Sequence, residues 1–236
     1  MRELTSPNVS VSAPTIGGEH SRRLFLRRSS AVLVAGSAAA LMLGMPRKPA
    51  FADGDDNPGD QSNQFREIRK HENDHVAFLV GALGNAARPM PSFQGLEQRT
   101  FEQFADVAQA LENTGVGAYL GAAPVIYSRA YLAAAGTIAL IEGRHAGYLN
   151  NFLGDPITAT NADLKADPSF QVPLTPAQVD AAAGPFIKSL HGGPPVTYSD
   201  TPSAQNDIAI LNFALALEYL EATFYNLNVP KFYGSK

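Results

Sequence analysis

Two stretches of the sequence repeat one pattern, ENDHVAFL at residues 72–79 and EGRHAGYL at residues 142–149. Each begins with glutamate, has histidine three residues later, and ends with an aromatic residue followed by leucine. Residues three apart lie on nearly the same face of an α-helix, so each stretch can aim a carboxylate and an imidazole at one point. The repeat therefore predicts two helices of one type.

Two further apolar stretches each carry a glutamate and, seven residues later, a tyrosine. These pairs are Glu112 with Tyr119 and Glu218 with Tyr225. The tyrosines could donate hydrogen bonds to ligating carboxylates, but ordinary amphipathic core tyrosines are the commoner case and the preferred interpretation. The chain thus alternates two kinds of helix, one with glutamate and histidine and one with glutamate alone.

Two helices of each kind together match the ligand pattern of di-iron and di-manganese four-helix bundles. Carboxylates balance the charge of the ions and can bridge them, while neutral imidazole fills the remaining positions. The candidate metal ligands are Glu72, His75, Glu112, Glu142, His145, Glu218 and Glu221. Glu221 could replace or supplement Glu218, although the repeat favours Glu218. The alternative is that the motif only makes hydrogen bonds in the core and binds no metal.

The other histidines and the residues inside the motifs are not expected to face a metal. His71 comes directly before Glu72 and is predicted to point elsewhere, as a surface residue. His191 lies in a loop rich in glycine and proline, which predicts exposure. Asp74 and Arg144 occupy the interior positions of the two motifs and should face away from the centre.

Apolar periodicity predicts an all-α fold of four long helices. Their expected ranges are 63–83, 100–123, 128–152 and from 202 or 207 to 226. The last helix should end before Pro230, and a short helix over residues 176–190 should lie within the long connection 153–200. No segment alternates apolar and polar residues convincingly, so no sheet is expected.

Three segments, residues 111–124, 142–146 and 207–222, resemble the ferritin-like domain of the desiccation-related protein family. The similarity covers most of residues 63–226. It implies a ferritin-like four-helix bundle, while the reaction stays poorly defined. In that family the helix resembling residues 207–226 comes first, so this chain reads as a circular permutation of the usual order.

The C-terminal helix is expected to complete the bundle. It should pack between the Glu72 helix and the Glu142 helix, parallel to the latter, and supply Glu218 as a carboxylate. The long connection easily spans a bundle of roughly 30 Å. Two alternatives stay open: the helix could swap into a neighbouring chain, or it could begin a truncated second domain.

The N-terminus looks like a twin-arginine export signal. SRRLFLR at residues 21–27 is followed by an apolar run at residues 31–45 and by AFA at residues 50–52. The run is short for a membrane span, which needs roughly 20 residues, although a retained anchor is the alternative. The expected parts of the chain are a signal peptide at 1–52, a flexible leader at 53–62 and the bundle at 63–236.

The charge and the cysteine content limit the classes of partner and of functional site that the chain can have. The predicted signal holds seven of the 18 basic and two of the 22 acidic residues, so residues 53–236 carry a net charge of −9. This balance argues against nucleic acid or an anionic membrane as partner and suits cations. The absence of cysteine excludes thiol nucleophiles, zinc–thiolate sites, iron–sulfur clusters and disulfides.

Two functional hypotheses follow. In the first, a di-iron or di-manganese centre reacts with oxygen or peroxide, oxidising ferrous iron or removing peroxide. In the second, the bundle is an exported stress or desiccation protein without a metal and without enzymatic activity. A mineral-storing cage is weaker, because the long connection would have to fit on a cage wall. The pattern does not separate iron from manganese, and it leaves a homo-oligomer open.

The signal predicts that the mature protein begins at Asp53. N-terminal sequencing of the exported form checks this, and finding residues 1–30 still attached would contradict it. Replacing Arg22 and Arg23 by lysine should keep the precursor inside the cell. Normal export of that variant would indicate another route.

Overall fold

The computed structural model describes residues 58–234, so the predicted signal peptide lies outside the described residues. This part of the chain is mostly helical, which confirms the all-α class. Its helices are α1 (Pro58–Leu83), α2 (Phe101–Ala122), α3 (Arg129–Phe152), α4 (Pro176–Ala183) and α5 (Ala204–Tyr233). Its strands are β1 (Ser92–Phe93) and β2 (Ile187–Ser189).

Hydroxyl side chains set the starts of the helices after α1. Thr100 accepts a hydrogen bond from the backbone N–H of Gln103, and Ser128 accepts one from Tyr131. Ser203 caps α5 in the same way. Because a capping oxygen satisfies one of the free N–H groups of the first turn, it favours a helix that begins at the next residue.

The helix ends differ from the sequence expectations at several points. α1 begins at Pro58, so the end of the expected flexible leader is helical. α5 continues through Pro230 to Tyr233, although it was expected to end before that proline. Proline removes the N–H that would bond the carbonyl of Asn226, but Asn226 is exposed and water can replace that bond. α4 ends at Ala183, earlier than expected.

The expectation of no sheet is wrong. β1 and β2 pair antiparallel, with Ser92 opposite Ser189 and Phe93 opposite Ile187. Strands of two and three residues are too short to show the alternation from which a strand is predicted. The pair ties the connection before α2 to the connection before α5.

The four long helices form two antiparallel pairs. α1 pairs with α5: Arg66 donates to the carbonyl of Tyr233 at one end, and Arg88, just past α1, donates to the carbonyl of Asn212 towards the other. α2 pairs with α3 across the short loop, as expected. α5 also packs against α2, antiparallel to it, so α3 and α5 run parallel and a crossover must join them.

The C-terminal helix therefore completes the bundle within its own chain, but not between the expected neighbours. It packs mainly on α1, and its second neighbour is α2 rather than the Glu142 helix α3. The reason is the antiparallel register of α2 and α5, which lets the tyrosine of each helix reach the glutamate of the other. By length and composition α5 could span a membrane, but 78% of its most apolar window is buried inside the protein, as in a core helix.

The core is divided into an aromatic end and an aliphatic end. At the aromatic end Phe65, Phe104 and Phe224 pack in sequence, with ring centroids 5.0 and 5.4 Å apart. At the other end Leu79 and Leu215 are buried with small and branched aliphatic residues. The polar candidate residues lie between these two apolar layers.

The crossover from α3 to α5 lies directly on α2. The backbone N–H of Leu174 donates to the carbonyl of Gly117 at 2.9 Å. A Cβ atom on Gly121 would lie only 1.9 Å from the carbonyl oxygen of Leu174. Glycine is required at this position because any side chain would collide with backbone.

We expect Gly121→Ala to destabilise the protein by about 1–3 kcal/mol, the usual range for overpacking. Gly81→Ala on α1 is the matched control, since a Cβ there would meet nothing within 4 Å. That change should be neutral or should stabilise the helix by about 0.5–1 kcal/mol. Chemical denaturation measures both, and equal effects would contradict the close contact of the crossover with α2.

Candidate metal centre

Carboxylate and imidazole groups from all four long helices converge between the two apolar layers. They form two groups in which one ligand atom from each residue lies within 4.8 Å of every other. The first group is Glu72, Glu112, Glu142 and His145; the second is Glu72, His75, Glu142 and Glu218. Six of the seven candidate ligands are thus brought together, and Glu221 is outside both groups.

Glu72 and Glu142 belong to both groups, so they are placed as shared carboxylates. Each comes from a Glu-x-x-His helix, where three-residue spacing points the carboxylate and histidine of one helix to the same side. The Nδ1 atom of His145 lies 3.0 Å from Oε1 of Glu72, and Nδ1 of His75 lies 3.2 Å from Oε1 of Glu142. The two repeats therefore face each other across the bundle.

Glu112 and Glu218 each belong to one group only. Oε2 of Glu112 lies 3.2 Å from Nδ1 of His145, and Oε2 of Glu218 lies 3.2 Å from Nδ1 of His75. Each group thus has one histidine, one carboxylate of its own and two shared carboxylates. This is an arrangement with two-fold character, as the internal repeat of the sequence suggests.

The two tyrosines bond these outer carboxylates. The Tyr119 hydroxyl donates to Oε1 of Glu218 at 2.5 Å, and the Tyr225 hydroxyl donates to Oε1 of Glu112 at 2.6 Å. The less favoured interpretation of these residues is therefore the observed one. Each bond leaves the second oxygen of its carboxylate directed at a histidine.

Three buried carboxylate oxygens in the centre have no partner in hydrogen-bond geometry among the described residues: Oε1 of Glu72 and both oxygens of Glu142. Oε1 of Glu72 and Oε1 of Glu142 still lie at ion-pair distance from His145 and His75, so Oε2 of Glu142 is the atom that has neither kind of contact. A buried polar atom without a partner is costly and calls for an explanation. The unpartnered oxygens belong to the two shared carboxylates, where a cation would lie. The residues present therefore fit a pair of divalent cations, whose four positive charges four carboxylates would balance.

The electrostatic environment gives the carboxylates of the centre different pKa values. Burial raises the pKa of Glu142 well above its ordinary value, and the nearby Glu72, Glu112 and Glu218 raise it further. Burial also raises the pKa of Glu218, to about 7, against the opposing hydrogen bond from His75. For Glu72, burial acts in the same direction, but the two histidines outweigh it and lower the pKa to about 2.

The same contacts favour the charged form of the histidines. Burial alone would lower the pKa of His75, but Glu142, Glu218 and Glu72 raise it to about 12. Burial would likewise lower the pKa of His145, which Glu112 and Glu72 raise to about 11. The buried carboxylates of the centre therefore favour positive charge beside them. In this environment the protonated imidazoles provide part of that charge.

A glycine makes room for the seventh candidate ligand. Gly115 lies three residues after Glu112, as Glu221 lies three residues after Glu218. A Cβ on Gly115 would lie 2.8 Å from Oε2 of Glu142 and 3.4 Å from Oε1 of Glu221. Only one of the two glutamate helices can therefore carry the second carboxylate, and the centre is asymmetric here.

His71 is the residue that the sequence interpretation placed wrongly. It is half-buried, its ring is stacked on that of His145, and its Nδ1 lies 3.0 Å from Nε2 of His145. The missed signal is its spacing of four residues from His75, which puts both on one face of α1. As expected, His191, Asp74 and Arg144 are exposed.

A family model described as a ferritin-like domain matches residues 42–155 and 206–235, together more than half of the chain. The matched segments contain all seven candidate ligands and leave out the crossover. No curated protein and no solved structure matches the chain. The permuted helix order stays a prediction.

We expect Glu142→Gln to lower the metal content strongly while the metal-free protein becomes more stable, because the two buried histidines balance the charge of only two of the buried carboxylates. The raised pKa means that folding disfavours the ionised form of Glu142 at neutral pH, and the amide removes that penalty. Elemental analysis and chemical denaturation of the metal-free protein measure the two effects. The exposed Glu67 provides the control, since Glu67→Gln should change neither. A destabilised metal-free Glu142→Gln variant would contradict this account.

Proposed function

Because the chain belongs to the ferritin-like domain family, we propose that it binds two iron or two manganese ions in the bundle core. The observation that carries this proposal is the sharing of Glu72 and Glu142 by two four-residue ligand groups. Two separate one-ion sites would not need to share carboxylates. Two ions roughly 3.5–4 Å apart would need carboxylates that contact both of them.

The residues divide into terminal and bridging roles. Glu112 and His145 would hold one ion, Glu218 and His75 the other, and Glu72 and Glu142 would bridge them. The Nδ1 atom of each histidine is the one directed at the carboxylates, so Nδ1 would be the ligand atom. Oxygen and imidazole ligands without thiolate suit iron and manganese. Glu221 lies outside both groups and would supplement or replace Glu218 as a ligand.

The proposed activity is redox chemistry with dioxygen or hydrogen peroxide. Two bound divalent ions would together supply two electrons, which with two protons suffice to reduce dioxygen to hydrogen peroxide or hydrogen peroxide to two waters. The chain itself orients the centre: Tyr119 and Tyr225 hold the outer carboxylates by hydrogen bonds. Burial raises the pKa of both tyrosines, and the adjacent Glu218 and Glu112 raise it further. Their hydroxyls therefore keep their protons and stay donors.

His71 would fix the tautomer of His145. If Nδ1 of His145 binds an ion, its Nε2 must carry the proton, and Nδ1 of His71 is placed to accept it at 3.0 Å. A second partner of this kind orients the ligand ring in many metal sites. His71 is thus proposed as a positioning residue on one side of the centre only.

We also propose that the protein acts outside the cytoplasm, as a desiccation-related member of its family. The twin-arginine pattern at residues 21–27 supports export, and the resemblance of residues 207–222 supports the family assignment. The twin-arginine route moves folded proteins, so a centre could be loaded before export.

Elemental analysis of protein purified from the exported fraction tests the proposal. We expect about two iron or manganese ions per chain, since two ligand groups are present. His75→Ala and His145→Ala should each lower this content with the helical circular dichroism retained, and the exposed His191→Ala is the control. Full metal content in both histidine variants would remove them from the ligand set. A metal-free native protein would favour the non-enzymatic stress protein.

The redox proposal has a separate test. The loaded protein is reduced without oxygen, then mixed with dioxygen or hydrogen peroxide, and the absorbance of the oxidised metal is followed. We expect oxidation by at least one of them. A loaded protein that reacts with neither would keep the metal site and refute the redox function.

A further inference from the structure

The outward side of α1 and α3 is apolar at the aliphatic end of the bundle. Five exposed residues define this surface, here called the α1–α3 face: Ala77, Phe78, Ala133, Gly136 and Leu140. Leu140 is 67% exposed and Phe78 is 48% exposed. Residues 75–87 and 130–141 contain no aspartate, glutamate, lysine or arginine. A surface helix normally turns a polar side to the solvent, and a helix that is apolar on all sides is normally covered.

The two helices form one continuous surface. The ring of His71 on α1 stacks on that of His145 on α3, and Phe78 and Ala134 line one small cavity between the helices. α3 has 24 residues and is therefore about 36 Å long, and two adjacent helices are together about 20 Å wide. The surface that they offer is thus about 700 Å², about half of it apolar. This is close to the roughly 800 Å² that each partner of a stable complex buries.

The surface of α1 and α3 is complementary to itself. α1 and α3 run antiparallel, and the stacking of His71 on His145 places these two residues at the same height along the bundle. With a rise of about 1.5 Å per residue, two pairs of residues, one from each helix, then lie within about 3 Å of a common height. They are Phe78 with Leu140, and Asp74 with Arg144. The first pair is apolar, and the second is opposite in charge.

We propose that the α1–α3 face is the interface of a homodimer whose two-fold axis runs along the groove between α1 and α3. Such an axis lays α1 of each copy on α3 of the other and keeps every residue at its height, so both pairs form twice between the copies. A surface that matches itself is what a two-fold interface requires. The proposal goes beyond the proposed function, because no metal ion takes part in it.

The charges favour a second copy over other partners. Arg144 is exposed and has no ion pair among the described residues, while the exposed Asp74 is bonded to Lys70 of its own helix. The dimer brings Arg144 beside Asp74 of the partner subunit. An anionic membrane would also suit apolar residues with arginines. However, the exposed Asp74 and Glu67 of α1 and the net charge of −9 would repel it.

The dimer would also cover one side of the candidate metal centre. His71 is half-buried where α1 and α3 meet, because its ring stacks on His145. A partner laid along the groove between these helices removes the part of His71 that the solvent still reaches. The C-terminal helix α5 has no role in this contact, since it packs within its own chain.

Sedimentation velocity of the metal-free protein tests the dimer. We expect two chains per particle, and Leu140→Glu should weaken association about tenfold or more, because it places a charge within the apolar surface. The control is Leu227→Glu, which changes another exposed leucine, on α5 and outside the face. Circular dichroism should show unchanged helices in both variants. A wild-type protein that stays monomeric, or equal association of the two variants, would overturn the proposal.

An exchange of charges tests the orientation of the two copies. Arg144→Asp should weaken association about threefold or more, since two aspartates then face each other across the interface. Adding Asp74→Arg should restore association to within about twofold of wild type, because the pair is re-formed with its charges exchanged. If the second change restored nothing, α1 of one copy would not lie on α3 of the other.

Cross-linking tests the same contact directly. The chain has no cysteine, so introduced cysteines are the only thiols. Ala77→Cys and Leu140→Cys proteins are treated with a short bismaleimide, mixed and separately. We expect cross-linked dimers in the mixture and far fewer in either protein alone, and cross-linking of Ala77→Cys with itself would overturn the arrangement. A monomer that binds vesicles of anionic phospholipid, and loses that binding in Leu140→Glu, would assign the face to a membrane instead.

Discussion

Five glutamates buried in one apolar core, Glu221 with 3% exposure among them, are the constraint on which the rest of this structure depends. Glu72, Glu112 and Glu142 are 0% exposed, and Glu218 is 1% exposed. Carboxylates at such short distances repel one another and lose their hydration, so they persist only if cations or protons offset their charge. This negative charge can be offset by the two histidines, by hydrogen bonds from the two tyrosine hydroxyls and by the proposed metal ions.

Apolar packing flanks the centre on both sides. Stacked and edge-on aromatic rings close one end of the bundle, and aliphatic residues with a small cavity close the other. Because both layers have low polarity, electrostatic interactions within the centre that lies between them are stronger than they would be in water. In such surroundings Oε2 of Glu142, which has neither a hydrogen bond nor an ion pair among the described residues, is costly to bury unless a cation lies beside it.

The asymmetric features are superimposed on a centre built from two similar halves. Gly115 replaces what would be a second extra carboxylate, His71 packs against only one of the two histidines, and the cavity lies at only one end. The crossover adds a fourth difference, since it covers α2 and requires Gly121. An internal repeat thus supplies both groups of candidate ligands, and the departures from that repeat give the two groups different surroundings.

The sequence by itself determined the helical class, the four long helices and the candidate ligands, because apolar periodicity and three-residue spacing are local properties of one helix. The reciprocal Tyr119 and Tyr225 bonds, the contact of His71 with His145, the short sheet and the second neighbour of α5 were decided by the tertiary structure. Each of these depends on the register between segments far apart in the chain. That register follows from how four helices pack around buried charge, which no single helix specifies.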